Sequence, residues 1–116
     1  MEGALAGALI LLVGQSTRGL VSACIGRSRP PAGDWAASAH GWSFPSGHTT
    51  SATIVAVLLA TAFTRTSVRC LVVVWAAAVG FTRVYLGMHW PTDVLGGWLF
   101  GTAFAVMTIS VARRFL

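Results

Sequence analysis

An all-α integral membrane bundle of about four transmembrane helices is the fold class this sequence predicts. Three observations predict it. Of the 116 residues, 55% are hydrophobic and only 9% are charged, against about 25% charged in a soluble domain. The mean hydropathy of +0.74 agrees with that composition. Next, the apolar residues fall in long runs separated by short segments that hold most of the prolines and arginines. Finally, the residues able to do chemistry are confined to two of the connections and the helix ends beside them. The whole chain, residues 1–116, reads as one domain with no internal repeat, low-complexity tract or linker.

The first expected helix covers about 3–25, and about 23 residues at 1.5 Å each reach about 34 Å, enough to span. Its second half carries Gln15, Arg18 and Ser22 at helical spacing. Polar and ionisable groups are costly in lipid, so this stripe should face protein or a wet cavity. The alternative is a helix that ends near Gln15, with an interfacial segment after it. The apolar stretch 3–14 is long enough for a signal core, but Glu2 stands where such a peptide wants positive charge. Val21-Ser22-Ala23-Cys24 has the look of a lipoprotein cleavage box, but Arg18 interrupts the run before it.

Residues 26–46 read as a loop, broken by Pro30, Pro31, Gly33, Gly41 and Pro45. Trp35, Trp42 and Phe44 suit a membrane–water interface. A second helix follows over about 47–64 and a third over about 68–83, with Arg65 and Arg69 in the turn between them. Both are near the short limit for spanning. A fourth covers about 92–112. Pro91 and Thr92 fit its start, and Gly97 and Gly101 form a G-x-x-x-G step suited to close packing in lipid. Cys24 and Cys70 are expected near opposite membrane faces, too far apart for a disulfide.

The most informative stretch is Thr82 to Asp93. If a helix starts at Pro91, His89 and Asp93 lie one turn apart on one side of the chain. The carboxylate can then hold the imidazole in one tautomer and raise its basicity. Arg83 nearby offers a planar fork of donors suited to phosphate. The plainer reading is a helix terminus with a capping Asp and two incidental polar residues. A second motif, Pro45-Ser46-Gly47-His48, opens the second helix. Unpaired N–H groups and the helix dipole favour an anion there, Gly47 permits close approach, and His48 could donate or accept a proton. An ordinary serine cap beside a surface histidine is the plainer alternative. Arg27 and Arg29 stand next to the rigid pair Pro30-Pro31.

Four antiparallel spans put Arg29, Ser46, Gly47, His48, Arg83, His89 and Asp93 on one membrane face. Arg65, Arg69, Arg113 and Arg114 fall on the other. The positive-inside rule makes that second face cytoplasmic and the site extracytoplasmic. The net charge of +5 comes from eight arginines, with no lysine, against Glu2, Asp34 and Asp93. They are scattered among apolar runs, so membrane flanks and an anionic substrate explain them better than nucleic acid does.

On these residues the chain resembles the type 2 phosphatidic acid phosphatase family, whose superfamily includes bacterial acid phosphatases and vanadium haloperoxidases. The family signature is a lysine, six intervening residues and Arg-Pro; then Pro-Ser-Gly-His; then Ser-Arg, five residues, His, three residues and Asp. The second part is intact at Pro45, Ser46, Gly47 and His48. The third is present at Arg83, His89 and Asp93, with Thr82 for serine. Of the first, Arg29-Pro30 match and Ser22 occupies the lysine position. The resemblance implies that His89 attacks phosphorus and forms a phosphohistidine, Asp93 orients His89, and His48 protonates the leaving oxygen and then activates water. Arg29, Arg83, Ser46 and Gly47 would hold the phosphoryl oxygens, and no metal or other cofactor is needed. Arg18 and Arg27 are the two candidates to replace the missing lysine.

The expected partners are the bilayer and a lipid phosphate or diphosphate of isoprenyl or phosphatidate type. Nucleic acid is not expected, and a homo-oligomer is left open. Membrane members of the family commonly carry two helices ahead of the counterpart of the first helix here, which this chain would lack. Two other readings stay open: an inactive or truncated membrane protein that binds phospholipid or supports a partner, and a haloperoxidase-like vanadate binder. High hydrophobicity disfavours the latter.

Overall fold

The computed structural model describes residues 2–115, which form four α-helices and one 3-10 turn. Helix α1 runs Glu2–Ile25, the 3-10 turn Ala32–Asp34, α2 Gly47–Ala62, α3 Thr66–Tyr85 and α4 Pro91–Phe115. No strand occurs among the described residues. Helices α1, α3 and α4 are each long and apolar enough to cross a membrane. The chain is therefore an integral membrane protein by length and composition.

Local chemistry sets the helix ends. Ser46 caps α2, its Oγ accepting from the Thr49 N–H at 3.3 Å. At the other end Phe63 turns to extended backbone, and Arg69 Nε donates to the Ala60 and Phe63 carbonyls at 3.0 and 3.1 Å. Those bonds satisfy carbonyls that the helix itself leaves open. Helix α2 thus ends at Ala62, short of Thr64. Its 16 residues reach only about 24 Å, which makes it the shortest of the four apolar helices. Helix α3 is longer than the sequence suggested, starting at Thr66 and continuing to Tyr85, where Leu86 and Gly87, at φ +86°, turn the chain. Helix α4 continues past Ala112 through Arg113 and Arg114, cations that suit a helix C-terminus.

Short as it is, α2 is the centre of the bundle and packs on all three other helices. Its buried face is made of small and β-branched residues: Thr49, Thr50, Ala52, Thr53, Ile54 and Ala56. The Gly97–Gly101 step of α4 lies against this face. A Cβ at Gly97 would stand 2.8 Å from Thr49 Cβ, and one at Gly101 would stand 2.9 Å from Thr53 Cβ and 3.0 Å from the Thr50 carbonyl. Large apolar residues point outward instead, among them Leu5, Leu12, Leu71, Val74, Phe81 and Leu99. In water such a surface would be an association site, but in lipid it is the ordinary exterior. Cys24 and Cys70 are free.

The α2–α4 contact makes a testable difference between glycines. Gly97→Ala is expected to lower the stability of the detergent-solubilised protein by about 1–3 kcal/mol through overpacking. Gly3→Ala, where a new Cβ meets nothing within 4 Å, should leave it unchanged or slightly raised. Thermal unfolding of both variants beside the wild type checks this, and equal midpoints for all three would show that the helices do not depend on the close approach.

Candidate active site

The loop between α1 and α2 is stitched to the α3–α4 turn by backbone and side-chain bonds. The Ala36 N–H donates to the Leu86 carbonyl at 2.8 Å, and the Ser46 N–H to the Asp93 carbonyl at 3.0 Å. Trp90 Nε1 donates to the Ser28 carbonyl at 2.9 Å. Gly87, at φ +86°, lies so close to the Asp34 carbonyl that any Cβ would collide with it. These links bring the two motif-bearing connections together at one end of the bundle.

Asp93 is fully buried in this junction. Its Oδ2 accepts from the Trp90 N–H at 2.7 Å, from Ser43 Oγ and from His89 Nδ1 at 3.3 Å. Its Oδ1 accepts from Arg27 Nη1 at 2.8 Å. One carboxylate thus bonds both the Trp90 N–H at the start of α4 and the His89 ring. Because an ionised carboxylate only accepts, His89 carries its proton on Nδ1 and leaves Nε2 with a lone pair. Arg29 Nη1 lies 2.9 Å from that Nε2. The rest of the Arg29 fork donates to the Met88, Gly41 and His40 carbonyls at 3.0, 3.0 and 2.7 Å. Burial lowers the Arg29 pKa from its ordinary value, and the Asp93 charge opposes that shift, so the group stays a cation.

In front of His89 opens a cavity of about 510 Å³. Gln15, Arg18 and Ser22 of α1 line one side, Gly47 and His48 of α2 another, and the loop segment 38–42 a third. The polar stripe of α1 thus lines this cavity. Arg18 lies over Gly47, where a Cβ would meet its guanidinium carbon at 3.4 Å. His48 is exposed to the cavity and surrounded by the positive charges of Arg83, Arg29 and Arg18.

Not every residue expected at the site reaches the cavity. Ser46 is fully buried and its hydroxyl is used as the α2 cap. Arg83 lies in the last turn of α3, bonded weakly to Thr82 Oγ1 at 3.4 Å, and does not line the cavity. Arg27 is turned away from the position expected of a lysine substitute. It pairs with Asp93, bonds Thr92 Oγ1 at 2.6 Å and lies 5.0 Å over the Phe44 ring. Phe44 packs on Gly96 and Trp35 Nε1 donates to the Pro30 carbonyl, so these two aromatics help fold the connection. Two participants had no motif to announce them. Ser43, a plain loop serine in sequence, is a direct partner of Asp93. Gln15, noted only as part of the stripe, bonds the Gly47 carbonyl, Ser51 and Arg18.

Known proteins resemble this chain in sequence and in fold. Over 70 residues the chain is 34% identical to the undecaprenyl-diphosphatase of Sulfolobus acidocaldarius, covering 60% of this chain and 34% of that protein. It is 38% identical over 77 residues to phosphatidylglycerophosphatase B of Escherichia coli, covering 64% and 30%. It is 40% identical over 72 residues to a lipid A 1-phosphatase of Rhizobium johnstonii, covering 62% and 29%. The chain spans about a third of the length of the named relatives it matches. The crystal structure of a transmembrane PAP2-type phosphatidylglycerolphosphate phosphatase from Bacillus subtilis superposes with a TM-score of 0.81 at 28% identity, over 97% of this chain and 60% of that one. Aquifex aeolicus LpxE shares the fold with a TM-score of 0.80 at 23% identity, over 94% of this chain and 68% of that one. The PAP2 superfamily model matches residues 3–115, and with that match across nearly the whole sequence the chain belongs to the PAP2 superfamily.

Proposed function

We propose that the chain is a membrane lipid phosphatase that hydrolyses a lipid phosphate or diphosphate, of isoprenyl or phosphatidate type, through a phosphohistidine. The observation that carries this reading is His89: buried, held by Asp93 at Nδ1, and presenting Nε2 beside Arg29 at a cavity that Arg18 and His48 also line. That is a positioned nucleophile inside an anion clamp. The names of the relatives support a phosphorylated lipid as the substrate class.

In the first step the Nε2 lone pair attacks phosphorus, the P–N bond forms and the bond to the leaving oxygen breaks. Arg29 turns from Nε2 to the phosphoryl oxygens as the anion enters. Asp93 stabilises the positive charge that develops on the ring. Protonated His48 gives its proton to the leaving oxygen. In the second step neutral His48 takes a proton from water, the water oxygen attacks phosphorus, and the P–N bond breaks to release phosphate. Gly47 lets the oxygens approach the first turn of α2, and Ser46 contributes by capping that turn. Arg83 joins the clamp by swinging from Thr82. Arg18 takes the cationic place left open by Ser22, whereas Arg27 acts through Asp93. The arginines at the far ends of the helices, Arg65, Arg69, Arg113 and Arg114, favour a cytoplasmic position for that end and an extracytoplasmic one for the site.

Phosphate release by purified protein in detergent, with chelator present, tests the reading on a panel of isoprenyl diphosphate, isoprenyl monophosphate and phosphatidic acid. Wild type is expected to turn over at least one of them, and His89→Ala should lose about 10³-fold or more in kcat. Folded wild-type protein that releases no phosphate from any of the three would favour a binding protein without turnover.

Asp93→Asn tests the orienting role separately. Asparagine keeps an acceptor for the Trp90 N–H, but its amide can present a donor to Nδ1 and select the wrong tautomer. A fall of about 10²–10⁴-fold in kcat is expected. Phosphate-release kinetics on the best substrate of the panel measure it, and activity near wild type would remove Asp93 from the mechanism.

A further inference from the structure

The role of Gln15 extends beyond joining two helices. Its Nε2 donates to the Gly47 carbonyl at 2.8 Å and to Ser51 Oγ, while its Oε1 accepts from Arg18 Nε at 2.7 Å. The partners fix which way the amide faces: the Gly47 carbonyl can only accept and a guanidinium can only donate. Arg18 has one further bond, from Nη1 to the Pro45 carbonyl at a long 3.3 Å. Two of its five N–H groups are thereby engaged, and the side chain lies along the cavity wall over Gly47.

We infer that Gln15 is a positioning residue that holds Arg18 over the first turn of α2 so that its free N–H groups meet a phosphoryl group in the cavity. The inference rests on the lipid-phosphatase reading and adds a residue to it. Without the amide, Arg18 would keep only the long bond to Pro45. A freed arginine loses the fixed geometry that makes its fork an effective partner for phosphoryl oxygens, and must be ordered again each time an anion binds. Gln15 also ties the guanidinium to α2 itself, since the Gly47 carbonyl and Ser51 belong to that helix. Arg18 and the α2 first turn then move as one unit. In this way α1 supplies a cation one turn from Ser22, with its placement set by α2.

The alternative is that Gln15 merely fastens α1 to α2. A double-mutant cycle separates the two. Wild type, Gln15→Ala, Arg18→Ala and the double variant are compared in detergent by kcat/KM for the best substrate and by affinity for orthovanadate, a phosphate analogue. Vanadate binding is read from tryptophan fluorescence, Trp42 being at the cavity. Gln15→Ala should lower both quantities by about tenfold when Arg18 is present and by less than about twofold when it is absent, because coupled residues are non-additive. Equal losses in the two backgrounds would overturn the inference and leave Gln15 a helix fastener, whatever the thermal midpoints. Coupling in vanadate affinity without phosphate release would keep the positioning role and overturn hydrolysis. Absence of coupling in both readouts would overturn the positioning role.

Discussion

The Asp93 side chain is fully buried, and a carboxylate there is tolerable because Arg27, Ser43, His89 and the Trp90 N–H all converge on it. An ionised group left without partners in such a place would cost several kcal/mol or give up its charge. The partners come from separate parts of the chain: Arg27 and Ser43 from the first connection, His89 and Trp90 from the second. Asp93 therefore folds the loop onto α4 by the same bonds that fix the His89 ring. The Arg27 pair also means that the carboxylate is not reserved for the imidazole. Its charge is shared between the guanidinium and the ring that it holds in place.

What was legible in the sequence follows from the distance over which each residue acts. His89 and Asp93 are four residues apart across the start of α4, so a local turn, closed by the Trp90 N–H on Asp93, brought them together. The Ser46 cap and Gly47 were equally local. Arg27 and Arg29 could not be told apart that way, because two arginines separated by one residue in a Pro-flanked loop have no fixed phase. Only the folded loop sends Arg29 to His89 Nε2 and Arg27 to Asp93. Ser43 is unreadable for the same reason, since its partner lies 50 residues away. The stripe of Gln15, Arg18 and Ser22 was visible by period, but which of its members touched α2 depended on how closely the two helices pack. The length of α2 was also misjudged by a few residues, because Arg69 closes the helix from beyond the turn.

Lipid removes the force that usually arranges helices. Apolar side chains gain little by leaving hydrocarbon for a protein interior, so order must come from close contacts and polar links. In this chain both converge on α2. Gly97 and Gly101 of α4 fit against Thr49 and Thr53, and Gln15 of α1 bonds the Gly47 carbonyl and Ser51. Cavity wall and helix packing are thus two uses of the same short segment. That explains how the shortest of the four helices can be the central one: its N-terminus is placed by caps and bonds at the level of the cavity, and its length need only reach the Arg69 closure. It also sets a constraint on change. Surface residues of α1, α3 and α4 face lipid and can vary in shape at little cost, whereas any enlargement along the first turns of α2 shifts the packing and the cavity together.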